Sequence, residues 1–388
     1  MTKVWQRQGD LAGAAILILF TAVVCSAALF FPKPIWDMIP YVAAIFEYDG
    51  TLGHDLHVQT YALVQENVSR VEFLVLTGGG PFRTAQYANP DSFITMLGFY
   101  RVNMLYVDFA QFLTNWADPV TALRWASVIP ATAIGLLTLL WLGGNRSLAL
   151  APLAVIALIV TGYTDIAWLT TPDMFSAFFL VAGILLYVTE RNLSAGVALV
   201  LGGLARPDHL VLVGVFAAMT VIIRPISYSL IAALVAGIAG FLTLNGMSAH
   251  PGWWIHFWFT SIEYVHTLDG FNPPFSVLAY LQALGQAAMR SLVEQKWLAV
   301  LLALIFTLAL MRRKGIAFTR PEAIAMSAIL ITIPIKFLVF PLADGRFHFA
   351  YLIALALILI TAYGRQRRPL SFAVPKITPP VDDPPTVP

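Results

Sequence analysis

Ten apolar stretches constrain the fold of this chain more than any other feature. They occur at about 11–31, 121–143, 147–163, 167–189, 193–205, 208–223, 227–245, 297–311, 321–341 and 347–363. About 20 apolar residues are enough for a helix to cross the hydrocarbon core of a membrane. We therefore expect an all-α membrane protein with about 10 transmembrane helices, within a range of about 9–11. The range arises because 193–205 and 208–223 form either a tight hairpin or one broken helix.

The distribution of charge predicts the orientation of these helices, because Lys and Arg collect in cytoplasmic loops. With the N-terminus inside, 13 of the 23 Lys and Arg residues fall in cytoplasmic segments, beside only five acidic residues. All seven histidines then fall on the outer side. We expect both termini inside, a multi-pass protein of a bacterial inner membrane, and an active face toward the periplasm.

The domain organisation is expected to be simple. Residues 1–363 form one polytopic membrane domain with large outer loops at about 32–120 and 247–296. Residues 364–388 are Pro-rich and contain few apolar side chains that could be buried. This composition predicts a disordered cytoplasmic tail.

Both outer loops contain stretches suited to a membrane surface. In the first loop, residues 37–48 and 93–113 are candidates for interfacial amphipathic helices. In the second, "HPGWWIHFWF" at 250–259 clusters tryptophans, which most often anchor a protein at the membrane boundary.

Ionisable residues at membrane depth are functional candidates by default. In the expected topology ten of them converge near the outer ends of the helices: Asp37, Asp165, Asp173, Arg206, Asp208, His209, Lys336, Asp344, Arg346 and His348. Each could instead be a helix cap or a structural ion pair, as an Asp at a helix start often is. Arg206 and Lys336 lie in otherwise apolar sequence, which favours a shared site for the set.

The stretch "GGLARPDHLVLVG" at 202–214 poses the sharpest question, because an Arg at the centre of a membrane helix costs roughly 2.5 to 3.5 kcal/mol. Arg206 either holds a ligand phosphate or pairs with Asp208 or Asp173. The residue types of the whole set suit a particular chemistry. A carboxylate can accept a proton from a hydroxyl, while Arg and Lys bind a phosphate whose lipid tail stays in the bilayer.

Four stretches, in this order, resemble the GT-C glycosyltransferases, polytopic enzymes that use polyprenyl-phosphate sugars. "WDMIPYVAAIFEYDG" is similar to their first outer loop, and "TTPDMFSAFFLVAGILLYV" and "GGLARPDHLVLV" resemble two later segments. "DGRFHFAYLIALALILI" resembles their final outer turn and helix. The resemblance is to the branch of protein mannosyltransferases and aminoarabinose transferases, and it implies a GT-C-like bundle.

The resemblance also implies roles for individual residues. Asp37 would be the catalytic base, with Asp165 and Asp173 favoured as further catalytic acids over Glu47, Asp49 and Asp55. Arg206, Lys336 and Arg346 would bind the donor phosphate. The other expected substrate-binding residues are Tyr41, Asp208, His209 and His348.

These expectations together describe an inverting hexosyl- or pentosyltransferase at the outer face of the membrane. Its partners would be a polyprenyl-phosphate-linked sugar, an acceptor glycan, lipid or protein, and membrane lipid, with no nucleic acid. We expect no cofactor and no metal site, although a divalent metal stays an open alternative. The competing hypothesis is a transporter or flippase of a lipid-linked or small polar substrate, because broken helices with charged ends also build transport sites.

Two further motifs have less weight. "TGGGPFR" at 77–83 could bind a phosphate or sugar but lacks the spacing of known phosphate loops, which favours a flexible turn. "HDLH" at 54–57 places two histidines three positions apart, which could ligate a metal but more often is surface polarity.

Overall fold

The chain folds entirely into helices in the part that the structure describes. A computed structural model describes residues 2–223 and 226–366, with side chains from residue 7 onward, and contains no β-strand in these ranges. The all-α prediction is therefore confirmed. The predicted disordered tail lies almost entirely outside the described residues.

The first helix is followed by a segment of short helices. Helix α1 covers Thr2–Phe30. The next seven helices are α2 (Met38–Tyr48), α3 (Gly53–Asn67), α4 (Arg70–Gly78), α5 (Pro81–Ala88), α6 (Pro90–Met96), α7 (Gly98–Arg101) and α8 (Met104–Leu113). Several of these helices pack around a second hydrophobic core, to which α9 also contributes. Every residue of α2 from Met38 to Ile45 is buried, so the prediction of an interfacial helix at 37–48 does not describe its packing.

The middle of the chain contains apolar helices of very different lengths. They are α9 (Pro119–Gly144), α10 (Ala151–Thr161), α11 (Tyr163–Ala167), α12 (Pro172–Val188), α13 (Asn192–Ala205), α14 (Leu210–Ile223) and α15 (Tyr228–Met247). Asp118 caps α9 by accepting hydrogen bonds from the backbone N–H groups of Val120 and Thr121 at 3.0 and 3.1 Å. These bonds satisfy donors that have no partner inside the helix.

Five more helices complete the fold: α16 (Trp253–Ser261), α17 (Val277–Val293), α18 (Trp297–Arg313), α19 (Arg320–Val339) and α20 (Phe349–Gln366). Helices α17 and α18 meet at a bend of 73°. Helix α20 lies at the centre of the larger hydrophobic core, with every residue from Phe349 to Leu359 buried.

All ten apolar windows coincide with helices, but their lengths differ from the expectation. Within the described residues, five helices are long and apolar enough to cross a membrane, namely α1, α9, α15, α19 and α20, and the bent pair α17–α18 could add a sixth. Helices α10, α12, α13 and α14 have only 11, 17, 14 and 14 residues. The chain thus has several apolar helices compatible with a multi-pass membrane protein, and the count of ten spans stays a prediction.

Close approach of α12 and α13 explains two glycines in the sequence. A Cβ atom at Gly183 would lie 2.8 Å from the Cγ atom of Leu199, and one at Gly202 would lie 3.2 Å from a methyl group of Leu180. Small residues of this kind let apolar helices pack backbone to backbone. This contact brings the start of α12 beside the end of α13.

A buried ion pair joins α19 to α20 at the opposite end from that junction. The two terminal guanidinium nitrogens of Arg365 each donate to the Glu322 carboxylate at 2.7 Å. Glu322 also accepts a hydrogen bond from the backbone N–H of Thr319. The Glu322 side chain is only 1% exposed, whereas that of Arg365 is 32% exposed.

Glu322→Gln is expected to destabilise the protein by about 2 to 3 kcal/mol, since it removes the charge partner of Arg365. The cost stays below that of a fully buried pair because Arg365 reaches solvent. Thermal unfolding in detergent micelles measures it. Glu294→Gln is the matched control, because its pair with Arg290 is 63% and 54% exposed and should contribute at most about 1 kcal/mol. Equal effects of the two variants would contradict this account.

Candidate functional site

One large cavity collects most of the charged residues that the sequence singles out. Its volume is about 1140 Å³, and it lies between the segment α2–α8, the short helices α12–α14, and the connections around α16 and α20. The predicted site residues that line it are Asp37, Tyr41, Asp173, Arg206, Asp208 and Arg346.

Asp37 directs its carboxylate into this cavity. It stands just before α2 but makes no side-chain capping bond to that helix. Its Oδ1 atom instead accepts a hydrogen bond from the Tyr100 hydroxyl at 3.3 Å, and its Oδ2 atom faces the Arg346 guanidinium at 3.3 Å. The side chain is 29% exposed. Asp37 is therefore held from two sides while remaining open to the cavity.

Tyr41 and Tyr100 stay protonated beside this carboxylate. Burial, together with the negative charge of Asp37, raises the pKa of both hydroxyls above the usual range. Tyr41 accepts a hydrogen bond from Asn103 at 2.8 Å. Both phenols can therefore donate hydrogen bonds at any physiological pH.

Asp173 joins the two arginines of the site. It lies in the first turn of α12, and its side chain is only 2% exposed. Its Oδ1 atom pairs with Arg206, and its Oδ2 atom accepts the Thr171 hydroxyl at 2.6 Å and faces Arg346 at 3.5 Å. Both oxygens are thus engaged, so Asp173 is suited to positioning the arginines rather than to accepting a proton.

Arg206 follows the last residue of α13, and two carboxylates compensate its charge in apolar surroundings. Its backbone is extended, and Pro207 starts the turn that leads into α14. The guanidinium pairs with Asp173 and, through Nε, with Asp208 at 3.2 Å. It also lies 4.5 Å from the centre of the Phe347 ring. Arg206 therefore has both of the carboxylate partners that the sequence offered as alternatives.

Lys336 and His209 lie behind the cavity wall. The Lys336 ammonium pairs with Asp208 at 2.7 Å and donates to the Phe347 carbonyl at 2.7 Å, and its side chain is 2% exposed. His209 is buried between the Tyr351 hydroxyl at 2.8 Å and the Ser176 hydroxyl at 3.3 Å. Both residues support Asp208 and its neighbours rather than facing the cavity.

Two predicted site residues lie elsewhere. Asp165 is exposed on α11 and does not line the cavity, so its position lends no support to a catalytic role. His348 is buried against Trp297, with ring centres 3.8 Å apart, and its Nε2 atom bonds the Leu342 carbonyl at 3.2 Å. These contacts make His348 a packing residue of the last turn.

The competing acids of the first loop also lie outside the cavity lining. Glu47 pairs with Arg101, and Asp49 accepts a hydrogen bond from Gln111 at 2.9 Å. Asp55 is exposed at the start of α3. Asp37 is therefore the acid of this loop that faces the cavity.

Aromatic residues form a part of the cavity that the sequence patterns did not indicate. They come from separate segments and include Trp36, Phe82, Tyr100, Phe99, Phe259 and Tyr264. The motif "TGGGPFR" contributes Gly79, Gly80, Pro81, Phe82 and Arg83 to the same lining. Its interpretation as only a flexible turn therefore misses its position at the cavity.

Histidines at the cavity do not assemble into a metal cluster. His250 Nε2 lies 3.0 Å from His256 Nδ1. Among residues 2–223 and 226–366 there is no group of three or more His, Cys, Asp or Glu side chains that could hold a metal ion. His57, from "HDLH", is buried and bonds the Gln86 carbonyl at 3.0 Å.

No protein-family model matches the chain, and no curated protein or solved structure matches it either. The resemblance to GT-C glycosyltransferases thus stays a prediction.

Two partly buried histidines at the cavity, His250 and His256, predict acid sensitivity. Burial lowers the pKa of His256 to about 3 and that of His250 to about 4. Both histidines are therefore neutral in the folded protein and protonate more readily in the unfolded chain. Stability is then complete above about pH 6.5 and falls as the pH decreases toward about 4.

Between pH 7.5 and 5, His256 is expected to remove about 2 kcal/mol of stability. The unfolding temperature of His256→Phe in detergent should therefore fall less over this range than that of the original protein. His54→Phe is the control, because His54 is exposed. An unchanged pH dependence in His256→Phe would contradict the assignment.

Proposed function

We propose that this chain is an integral-membrane glycosyltransferase of the GT-C type. It would move a monosaccharide, a hexose or pentose, from a polyprenyl-phosphate donor to an acceptor hydroxyl on a glycan, lipid or protein. The observation that carries the proposal is the pairing of Asp37 with Arg346 at 3.3 Å, both partly exposed to one cavity of about 1140 Å³. A carboxylate for proton transfer and a guanidinium for phosphate binding thus share one space.

The proposed reaction inverts the anomeric carbon of the sugar. Asp37 accepts the proton of the acceptor hydroxyl. The oxygen of that hydroxyl attacks the anomeric carbon from the face opposite the phosphate. The bond between the sugar and the phosphate oxygen breaks, and its electron pair leaves with the polyprenyl phosphate. Arg206 and Arg346 stabilise the negative charge that develops on the departing phosphate.

In the proposed reaction, binding of the donor phosphate weakens the contact between Asp37 and Arg346. Arg346 is shared among the Asp37, Asp173 and Asp344 carboxylates at 3.3, 3.5 and 3.4 Å. A donor phosphate bound by Arg346 would compete with Asp37 for the same guanidinium. Losing part of this contact would free an Asp37 oxygen to accept a hydrogen bond from the acceptor hydroxyl.

An aliphatic wall supplies a place for the lipid tail of the donor. It consists of Leu210, Val211, Ile238 and Val339, which line the cavity and belong to α14, α15 and α19. Ile238 and Val339 are each 46% exposed. A tail lying here would continue along helices that are apolar enough to contact membrane lipid.

For the membrane arrangement, we propose a bacterial inner membrane with about 10 spans, both termini inside and the cavity facing the periplasm. The short helices α10, α12, α13 and α14 would then each count as a span.

Asp37→Asn is expected to lower sugar transfer by about 100- to 10,000-fold, because it removes the proton acceptor while preserving shape. Membrane vesicles containing radiolabelled polyprenyl-phosphate hexoses and pentoses measure the transfer, and mass spectrometry of cell-envelope glycans identifies the product. Asp91→Asn is the control, because Asp91 is exposed and does not line the cavity. Full transfer by a folded Asp37→Asn protein would refute the assigned role.

Cysteine labelling tests the orientation. In a Cys25→Ser background, Asp269→Cys should react with a membrane-impermeant maleimide in intact cells. Lys314→Cys should react only after permeabilisation. Both positions are exposed, so solvent access alone does not separate them. The reverse pattern would place the cavity in the cytoplasm.

The alternative of a transporter or flippase is favoured by two helix breaks, at Arg206 between α13 and α14 and at the 73° bend between α17 and α18. Interrupted helices of this kind form substrate sites in transporters. Movement of a lipid-linked sugar across vesicles, without any covalent product and with Asp37→Asn still active, would establish this function instead.

A further inference from the structure

Five aromatic rings form a continuous surface on one side of the cavity. We call Trp36, Phe82, Phe99, Phe259 and Tyr264 the aromatic wall. The ring centres of Trp36 and Phe82 lie 4.8 Å apart, and those of Phe82 and Tyr264 lie 5.6 Å apart. Phe259 lies 5.3 Å from Phe82, 5.1 Å from Phe99 and 5.1 Å from Tyr264. Mutual packing of this kind holds the rings in fixed orientations.

The aromatic wall begins beside the acid of the site and ends at a solvent-exposed ring. Trp36 directly precedes Asp37 in the chain, and its ring contacts that of Tyr100 at 6.1 Å. At the other end, the Tyr264 side chain is 63% exposed although it lines the cavity. The Tyr264 end of the aromatic wall is therefore accessible from solvent.

A cationic side chain lies beside the aromatic wall. Arg83, next to Phe82, lines the cavity and uses Nη1 to bond the Val75 carbonyl at 2.9 Å. Its other guanidinium nitrogens carry further donors.

We propose that the aromatic wall binds a sugar ring of the acceptor. A pyranose presents an apolar face of C–H groups, which stacks on an aromatic ring, and a rim of hydroxyl groups, which need hydrogen-bond partners. The stacked face would lie on Phe82 and Tyr264, and the rim would meet Arg83. The assignment of this sugar to the acceptor rests on the proposed function, because it places a hydroxyl toward Asp37.

The position of the aromatic wall distinguishes a sugar from a lipid tail. Its rings belong to the segment before α2, to α5 and α7, and to the region of α16. The aliphatic wall, in contrast, belongs to α14, α15 and α19, of which α15 and α19 are candidate membrane spans. An isoprenoid chain has no use for the hydrogen-bond donors of Arg83, whereas a sugar does. The two walls therefore fit two different ligands.

Saturation-transfer NMR on the full-length protein in lipid nanodiscs tests sugar binding directly. The probes are the methyl glycosides of glucose, mannose, galactose, N-acetylglucosamine and arabinose. We expect transfer from aromatic protons to one face of at least one glycoside. Tyr264→Ala and Phe82→Ala should each weaken its binding about 2- to 10-fold.

Tyr228→Ala is the matched control, because Tyr228 is 79% exposed and does not line the cavity. Tyr264 is itself mostly exposed, so its replacement leaves the folded core intact even where Phe82→Ala fails to fold. Glycoside binding that is equal in Tyr264→Ala and Tyr228→Ala overturns the proposal. Loss of decaprenyl-phosphate binding in Tyr264→Ala, with glycoside binding retained, would assign the aromatic wall to the lipid and also overturns it.

The outcome separates this inference from the proposed function. If no glycoside binds but Asp37-dependent sugar transfer occurs, the acceptor site lies elsewhere and the glycosyltransferase stands. If a glycoside binds at the aromatic wall but no transfer occurs, the sugar site stands and the glycosyltransferase fails.

Discussion

The need to compensate charge in an apolar interior organises the central part of this molecule. Asp173 pairs with Arg206 and faces Arg346, while Asp208 joins Arg206 to Lys336. Removing one partner from such a network leaves a charge with little access to water, which costs several kcal/mol. The start of α12, the end of α13, the last turn of α19 and the turn before α20 are therefore held at one place.

This requirement explains how much of the site could be predicted from sequence. Arg206 and Lys336 stand in apolar stretches where few charges occur, so each needed an acidic partner from another helix. The expected topology placed the candidate acids near the same outer helix ends, which predicted one region for the set. The same argument fails for Asp165, because a residue in an exposed turn needs no partner. A charged residue in a long apolar stretch thus predicts a partner elsewhere in the fold, whereas one in a polar turn does not.

Other features left little trace in the sequence. The aromatic wall combines rings that are far apart in the chain and follow no helical or strand period, so only tertiary packing reveals it. The burial of α2 was not predicted for a different reason. Its residues are apolar on all sides, with just Phe46, Glu47 and Tyr48 escaping full burial. That pattern is typical of a core helix, whereas the predicted placement of 37–48 in an outer loop favoured an interfacial amphipathic helix.

The arrangement of the cavity separates three chemical environments by where their residues originate. Aliphatic side chains come from the apolar helices α14, α15 and α19, aromatic rings come from α5, α7, α16 and nearby connections, and the charged network lies where these parts meet. A charge placed within either apolar region would lose hydration without gaining a partner. At their junction Arg346 and Asp37 keep 20% and 29% of their side-chain surface exposed. These two side chains are therefore accessible from the cavity, whereas the Asp173 side chain is only 2% exposed.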